Sequence, residues 1–191
     1  MKYLSEKITD YILKIGVVSE ESYAIYQYGF QIGLEMISCF LTCFVISIYL
    51  HMIPEFLLFT GIFILLRTYA GGLHLNNYFG CFICSTIIQT IVLLINDRYT
   101  ITLGISWGII CSSAILISVN APVETKNREL DEDEKRHCKK ITMRLLIGVI
   151  ILSSGCTAAN LNRIVSLISL TVLLVLISQY IGIVKYSIEK K

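Results

Sequence analysis

The feature that most constrains this chain is a series of long stretches without charged residues. The first, Met36 to Ile53, contains no Asp, Glu, Lys or Arg, and with the preceding Gly29 to Glu35 it is long enough to cross about 30 Å of hydrocarbon. Hydrophobic residues make up 55% of the 191-residue chain, and its mean hydropathy of +0.71 is too high for a soluble domain. We therefore expect an integral membrane protein with helical spans, because helices satisfy their own backbone hydrogen bonds in lipid.

Five more uncharged stretches follow, and together they predict six crossings between residues 29 and 184. In chain order they are Phe56 to Leu66, Tyr78 to Ile95, Tyr99 to Val119, Leu145 to Asn162 and Ile164 to Val184. The second crossing is short, so we expect it either to extend through Tyr69 or to run into a re-entrant segment. The segment Glu124 to Arg144 is too polar to cross. The predicted fold is an all-α polytopic membrane bundle with six transmembrane segments, forming one domain over residues 1–191.

The first 28 residues are expected to hold a helix ahead of the first crossing. Apolar residues such as Tyr3, Leu4 and Ile8 alternate with charged residues at helical spacing, which predicts an N-terminal amphipathic helix. Two placements are open for this helix. It lies at the membrane surface, or it packs on the bundle from the cytosolic side.

Six crossings place both termini on one side of the membrane, and the basic residues indicate which side. Every Lys and Arg except Arg98 and Arg163 falls on the side of the termini. Because Lys and Arg accumulate in cytoplasmic loops, both termini, the polar insert 67–77 and the loop 120–144 are predicted to face the cytoplasm. A chemical site in that insert would lie at the cytoplasmic face of the cell membrane.

The cysteines do not form the pattern of a secreted disulfide scaffold. There are seven, an odd number, and most are scattered through the apolar stretches. Most are therefore expected to be small buried hydrophobic side chains. The net charge of +2 gives no indication of nucleic-acid binding, and no cofactor is predicted.

One polar insert combines residue types that carry chemistry. From residue 67 to residue 84 it reads RTYAGGLHLNNYFGCFIC. A cysteine becomes a strong nucleophile when a nearby imidazole or a helix N-terminus favours its thiolate. We expect Cys81 in the first turn of the third crossing, where free backbone N–H groups and the helix dipole stabilise negative charge. His74 is the candidate imidazole.

The spacing between these two residues requires a turn. On one continuous helix their backbones would lie about 10 Å apart along the axis, too far for a hydrogen bond between His74 and Cys81. The glycine pair before His74 and the asparagine pair after it are residue types that permit the chain to fold back. The alternative from spacing alone is that His74 is an interfacial polar residue and Cys81 a packed thiol.

The stretch Arg67-Thr-Tyr-Ala-Gly-Gly-Leu-His74 followed by Cys81 resembles the accessory gene regulator B (AgrB) family of membrane endopeptidases. The resemblance covers nearly the whole chain, including Tyr28-Gly29-Phe30 before the first crossing and Ala121-Pro122-Val123-Glu124 at the start of the charged loop. The residues that match the family's functional positions by spacing are Arg67, Gly72, His74 and Cys81.

The resemblance implies a membrane cysteine endopeptidase in which His74 is the base and Cys81 the nucleophile. Its substrate would be a small precursor peptide of the AgrD type, cut near its C-terminal end and cyclised to a thiolactone quorum-sensing signal. Arg67 would position the substrate or anchor the second crossing at the headgroups, and Gly72 would support the site. The partners implied are this peptide and the bilayer of a bacterial cell. A homodimer is compatible with the apolar helices.

Three alternatives remain open. Cys84, one helical turn beyond Cys81, offers a second thiol as the nucleophile. His74, Cys81 and Cys84 together supply ligands that suit zinc, but no fourth ligand is evident, so no metal is included in the predicted site. A peptide exporter without catalysis would also present a binding surface within six helices.

Overall fold

The computed structural model describes residues 2–16, 19–72, 78–123 and 131–189, and these residues form helices with no strand. A 3-10 turn at Glu20–Ser22 lies between the first two helices. The α-helices of the described residues are α1 (Lys2–Lys14), α2 (Tyr23–Tyr49), α3 (Ile53–Ala70), α4 (Tyr78–Arg98), α5 (Leu103–Asn120), α6 (Glu132–Ala158) and α7 (Asn162–Glu189). The prediction of an all-α fold is confirmed.

The six helices α2 to α7 are each long and apolar enough to cross a membrane. Their outward faces carry exposed apolar side chains, among them Leu41 on α2, Ile115 on α5 and Ile151 on α6. Such surfaces are unfavourable in water, whereas lipid tails solvate them as well as a protein core does. The prediction of a multi-pass bundle with six spans is confirmed.

The second crossing is a complete helix. α3 has 18 residues, which correspond to about 27 Å, and it begins with Pro54 in its first turn. A proline is tolerated there because the first backbone N–H groups of a helix have no partner within it. α3 ends at Ala70, and the following residue, Gly71, adopts a φ of +80°. Of the two expectations for this crossing, extension through Tyr69 is the one observed.

α7 is the central helix of the bundle. Half of its most apolar stretch is buried, compared with at most 28% for the other five spans. It packs against α3, α4, α5 and α6. Buried small residues such as Ser166, Ser169 and Thr171 let these neighbours approach closely, and the hydroxyls of Ser169 and Thr171 donate to backbone carbonyls of their own helix.

α6 joins the end of the charged segment to the fifth crossing as one continuous helix. It begins with a capping box, in which Asp131 and Glu134 each bond the backbone of the other. Within its polar first half, Cys138 and Thr142 are buried against the bundle. The charged residues from 132 to 144 therefore extend a spanning helix, while residues 124–130 lie outside the described part of the chain.

α1 confirms the predicted amphipathic helix and packs on the start of α2. Tyr23 Oη donates to Asp10 Oδ1 at 2.7 Å, and Gln27 Nε2 donates to Glu6 Oε1 at 3.2 Å. The small side chains of Ser5 and Thr9 are buried, while apolar side chains of α1 are exposed. α1 therefore contacts the bundle through α2, and its placement at the membrane surface stays a prediction.

At the opposite end of the bundle, Arg163 joins three helices. Its guanidinium donates to Asp97 Oδ1 at 2.6 Å and lies 3.8 Å from Glu55 Oε1. These residues belong to the start of α7, the end of α4 and the start of α3. The ion pairs therefore connect the ends of these three helices.

Candidate active site

The end of α3 forms a tight corner at Gly71. A Cβ atom at this position would lie 2.6 Å from the carbonyl oxygen and 2.9 Å from the nitrogen of Val123, and the positive φ is itself strained for other residues. Val123 N donates to the carbonyl oxygen of Ala70 at 3.0 Å. The glycine therefore allows the chain that follows α5 to bond directly to the last turn of α3.

Gly72 makes a similar contact with α7. A Cβ atom at Gly72 would lie 2.7 Å from Ser178 Oγ, and Gly72 is itself buried. This contact explains why a glycine suits this position. The role of Gly72 in supporting the reaction stays a prediction.

Cys81 lies in the first turn of α4, as the sequence predicts. The helix begins at Tyr78, and the Cys81 side chain is half-buried, whereas Cys84 is exposed one turn further on. Backbone N–H groups of a first turn have no acceptor within the helix. All seven cysteines are free thiols.

Arg67 approaches both candidate thiols from the last turn of α3. Its half-buried guanidinium lies within electrostatic range of Cys81 and Cys84, and it also lies over the ring of Phe63 at 5.7 Å. A positive charge at this point would stabilise the negative charge that develops on the carbonyl oxygen when a sulfur attacks a carbonyl group. The structure thus brings Arg67, Gly72 and the start of α4 to the same end of the bundle.

His74, the predicted base, lies in the segment 73–77, outside the described residues. The zinc alternative shares this residue. Within the described ranges, no group of three His, Cys, Asp or Glu residues is arranged to hold a metal ion.

Gln179 is a polar residue at this end that sequence reasoning did not single out. It is fully buried on α7, and its Nε2 donates to the carbonyl oxygen of Ala70 at 3.0 Å. Its only sequence signal is an amide side chain inside the apolar run Ile164 to Val184. Its partner is the carbonyl oxygen of Ala70, 109 residues away in the chain, and no residue pattern predicts that pairing.

The fold and the position of Cys81 define a polytopic α-helical membrane protein with a reactive residue type at the start of its third span. The family model described as Accessory gene regulator B matches residues 5–181, and the chain belongs to this family. The match confirms the resemblance identified from the insert.

A curated relative adds a second, more limited comparison. An AgrB-like protein of Clostridium beijerinckii is 32% identical over 95 residues, which are 49% of this chain and 48% of that protein. The match thus spans about half the length of the curated relative. There is no significant match among solved structures.

Proposed function

We propose that this protein is a membrane cysteine endopeptidase that cleaves an AgrD-like precursor peptide near its C-terminal end. The observation that carries the proposal is the position of Cys81, half-buried in the first turn of α4 with the Arg67 guanidinium nearby. A helix N-terminus and a neighbouring positive charge are the surroundings in which reactive cysteines are found. Membership of the Accessory gene regulator B family supports the same role in autoinducer processing.

The chemistry assigns one role to each residue of the proposed dyad. His74 takes the thiol proton, and the Cys81 sulfur attacks the scissile carbonyl carbon to form a tetrahedral intermediate. Collapse of this intermediate breaks the C–N bond, and His74 returns the proton to the departing amine. The product on the enzyme is an acyl thioester of Cys81.

The acyl thioester explains how the same site would release a cyclic peptide. The thiol of an upstream cysteine in the substrate attacks the acyl carbon, its proton passes to His74, and the Cys81 sulfur leaves. One thioester is exchanged for another, so the free-energy change is small, and the released peptide is a thiolactone. A site at the membrane edge that excludes water favours this exchange over hydrolysis.

Arg67 is proposed to act in the site as well as at the headgroups. Its electrostatic contact with the thiols supports stabilisation of the thiolate, or attraction of an acidic group or a backbone carbonyl of the substrate. An anchoring role alone would not require the guanidinium to be half-buried beside Cys81.

The proposed orientation places both termini and the active site at the cytoplasmic face. Six spans bring the chain back to its starting side, and the described helices place the end of α3, the start of α4 and the end of α7 together. The predicted layout puts every Lys and Arg except Arg98 and Arg163 on this side, which is the pattern of cytoplasmic loops. The bilayer is the expected environment, and a homodimer stays a prediction.

Co-expression with an AgrD-like precursor tests the proposal. Mass spectrometry of the peptide would compare wild type with His74→Ala, Cys81→Ala and Cys84→Ala, the last being the matched control one helical turn away. We expect cleavage to require His74 and Cys81 and to persist without Cys84. Processing that survives Cys81→Ala would contradict the proposal, and processing abolished by a chelator would favour the zinc alternative.

A further inference from the structure

α6 is longer than the hydrocarbon layer that it crosses. It has 27 residues, which correspond to about 40 Å, whereas the hydrocarbon core of a bilayer is about 30 Å thick. All its charged residues lie in the first half, between Glu132 and Arg144, and the second half is uncharged. The helix therefore projects beyond the hydrocarbon at its charged end, where it passes through the headgroup region.

The buried residues of α6 follow one side of the helix along most of its length. They recur every three or four positions: Cys138, Thr142, Leu146, Val149 and Ser153. This spacing is that of a single helical face, so the same side packs on the bundle within the hydrocarbon and in the projecting part. The neighbours that it meets are α3, α5 and α7. The opposite side of α6 faces away from the bundle.

The opposite side carries three cations in line with lipid-facing residues. Arg136, Lys140 and Arg144 are exposed and lie four residues apart, and we call these three residues the cationic stripe. The line continues three and seven residues beyond Arg144 to Ile147 and Ile151, whose side chains are 53% and 66% exposed. Residues at these spacings share one helical face. That face thus changes from apolar to cationic where the helix leaves the hydrocarbon.

The acidic residues of α6 lie beyond the cationic stripe, farther from the hydrocarbon. Glu132, Asp133 and Glu134 occupy the first turn, where Glu134 takes part in the capping box and Glu132 pairs with Lys135 at 3.2 Å. Asp133 shares the face of the stripe, but at the end farthest from the lipid. Within the described ranges, no residue of the stripe forms an ion pair. Its charges are therefore available to an anion from outside the chain.

We propose that the cationic stripe binds the phosphate of an anionic phospholipid, whose acyl chains lie along Ile147 and Ile151. Basic residues next to a span attract anionic lipids, and arginine bonds phosphate through two parallel N–H groups. A lipid is favoured over an acidic peptide because the stripe shares the face that contacts lipid rather than the face that packs on the bundle. The inference does not depend on the proposed function or on which side of the membrane is cytoplasmic.

Native mass spectrometry tests the inference on the full chain. The protein is purified with equal amounts of phosphatidylglycerol, which is anionic, and phosphatidylcholine, which is zwitterionic, and the ratio of the two lipids that stay bound is measured. We expect phosphatidylglycerol to predominate in wild type. Arg136→Gln with Lys140→Gln should lower the ratio on the order of 10-fold, because both changes remove attraction at the headgroups. An unchanged ratio would overturn the inference.

Lys135→Gln with Lys139→Gln is the matched control. It removes the same charge from the same helix at nearly the same depth, but each position is one residue earlier and therefore turned by about 100° away from the stripe. We expect the lipid ratio of this variant to stay close to that of wild type. Equal losses in the two double variants would show that only net charge matters, and the inference would fail.

Photo-cross-linking keeps the stripe intact and so does not depend on how the charge variants fold. In vesicles of the same two lipids, benzoylphenylalanine in place of Ile147 should capture phosphatidylglycerol in excess of its share of the vesicle. The control position is Ile115, which is exposed on α5, a helix without charged residues, and should capture both lipids equally. The same ratio at both positions, or capture of a second copy of the chain at Ile147, would contradict the inference.

Cleavage of a co-expressed precursor separates a lipid from an acidic peptide as the occupant. If Arg136→Gln with Lys140→Gln abolishes cleavage but leaves the lipid ratio unchanged, the stripe binds the peptide and the inference fails. If the lipid ratio falls and the control variant keeps it, the stripe binds lipid, whatever the effect on cleavage.

Discussion

The Nε2 atom of Gln179 donates a hydrogen bond to the carbonyl oxygen of Ala70 at 3.0 Å, joining α7 to the last turn of α3. The same carbonyl accepts from Val123 N, so three separate segments of the chain meet at one backbone oxygen. Gly71 and Gly72 continue from this point toward His74. The corner at the end of α3 is therefore held by residues distant in sequence.

Replacing Gly72 with alanine should destabilise the corner at the end of α3. A second substitution at Ser178 should reverse part of this loss of stability. The added Cβ would lie 2.7 Å from Ser178 Oγ, so the helices must separate slightly. We expect a loss of about 1–3 kcal/mol in stability and a reduced rate of precursor cleavage. Thermal unfolding in detergent and mass spectrometry of the peptide measure the two effects.

The double variant Gly72→Ala, Ser178→Ala removes the hydroxyl oxygen and should recover part of the stability, because alanine stays strained at the Gly72 φ of +158°. Gly61→Ala is the matched control on α3, because nothing lies within 4 Å of a Cβ there. Equal losses in Gly72→Ala and Gly61→Ala would contradict the packing argument.

Gly71→Ala should be more damaging than Gly72→Ala. Its Cβ would meet backbone atoms of Val123 rather than the end of a side chain, and alanine is strained at a φ of +80°. No side-chain substitution can relieve this contact, so a second-site variant such as Ser178→Ala should give no recovery. The amount of folded protein in membranes would test this, and a stable Gly71→Ala would show that the corner tolerates a wider turn.

Replacing Arg67 with glutamine should slow processing on the order of 100-fold, because the positive charge beside Cys81 is lost. Arg67→Lys should retain part of the activity, since it keeps the charge without the planar group. Alkylation of Cys81 at neutral pH should fall in parallel. Arg98→Gln, an exposed arginine at the far end of α4, is the control; equal effects at both positions would contradict a local role for Arg67.

Breaking the pair of Asp97 and Arg163 should cost little stability. Both side chains are substantially exposed, and exposed ion pairs contribute about 0–1 kcal/mol. Asp97→Asn should lower the unfolding temperature slightly, less so at high salt, and leave precursor cleavage unchanged. The exchange Asp97→Arg with Arg163→Asp should recover only part of the lost stability, because it places a carboxylate near Glu55. A large decrease in cleavage would indicate that this contact controls the distant site.

Reporter fusions should distinguish the two sides of the membrane. Alkaline phosphatase, which folds only outside the cytoplasm, should be active when fused after Arg98 and inactive when fused after Lys191. A fluorescent protein should show the reverse pattern at both positions. Because the prediction rests on the distribution of Lys and Arg, activity of phosphatase at the C-terminus would overturn the orientation.

The sequence alone determined the class of fold and the identity of the candidate residues. Uncharged stretches such as Met36 to Ile53 identify spanning helices because hydrocarbon excludes unpaired charges, a constraint that acts on composition within each segment. The insert from Arg67 to Cys81 identified the family by residue types and spacing, and the family match confirms it. Even the start of α4 near Cys81 could be predicted, because helix boundaries depend on nearby residues.

Only the tertiary structure decided how these residues are held. That α7 is the central helix, that Gly72 packs on Ser178, and that Gln179 bonds to Ala70 depend on contacts between segments far apart in the chain. In lipid all six spans have similar apolar surfaces, so hydropathy does not specify which of them meet. Close packing and a few buried hydrogen bonds make that choice, and they become visible only when the helices are assembled.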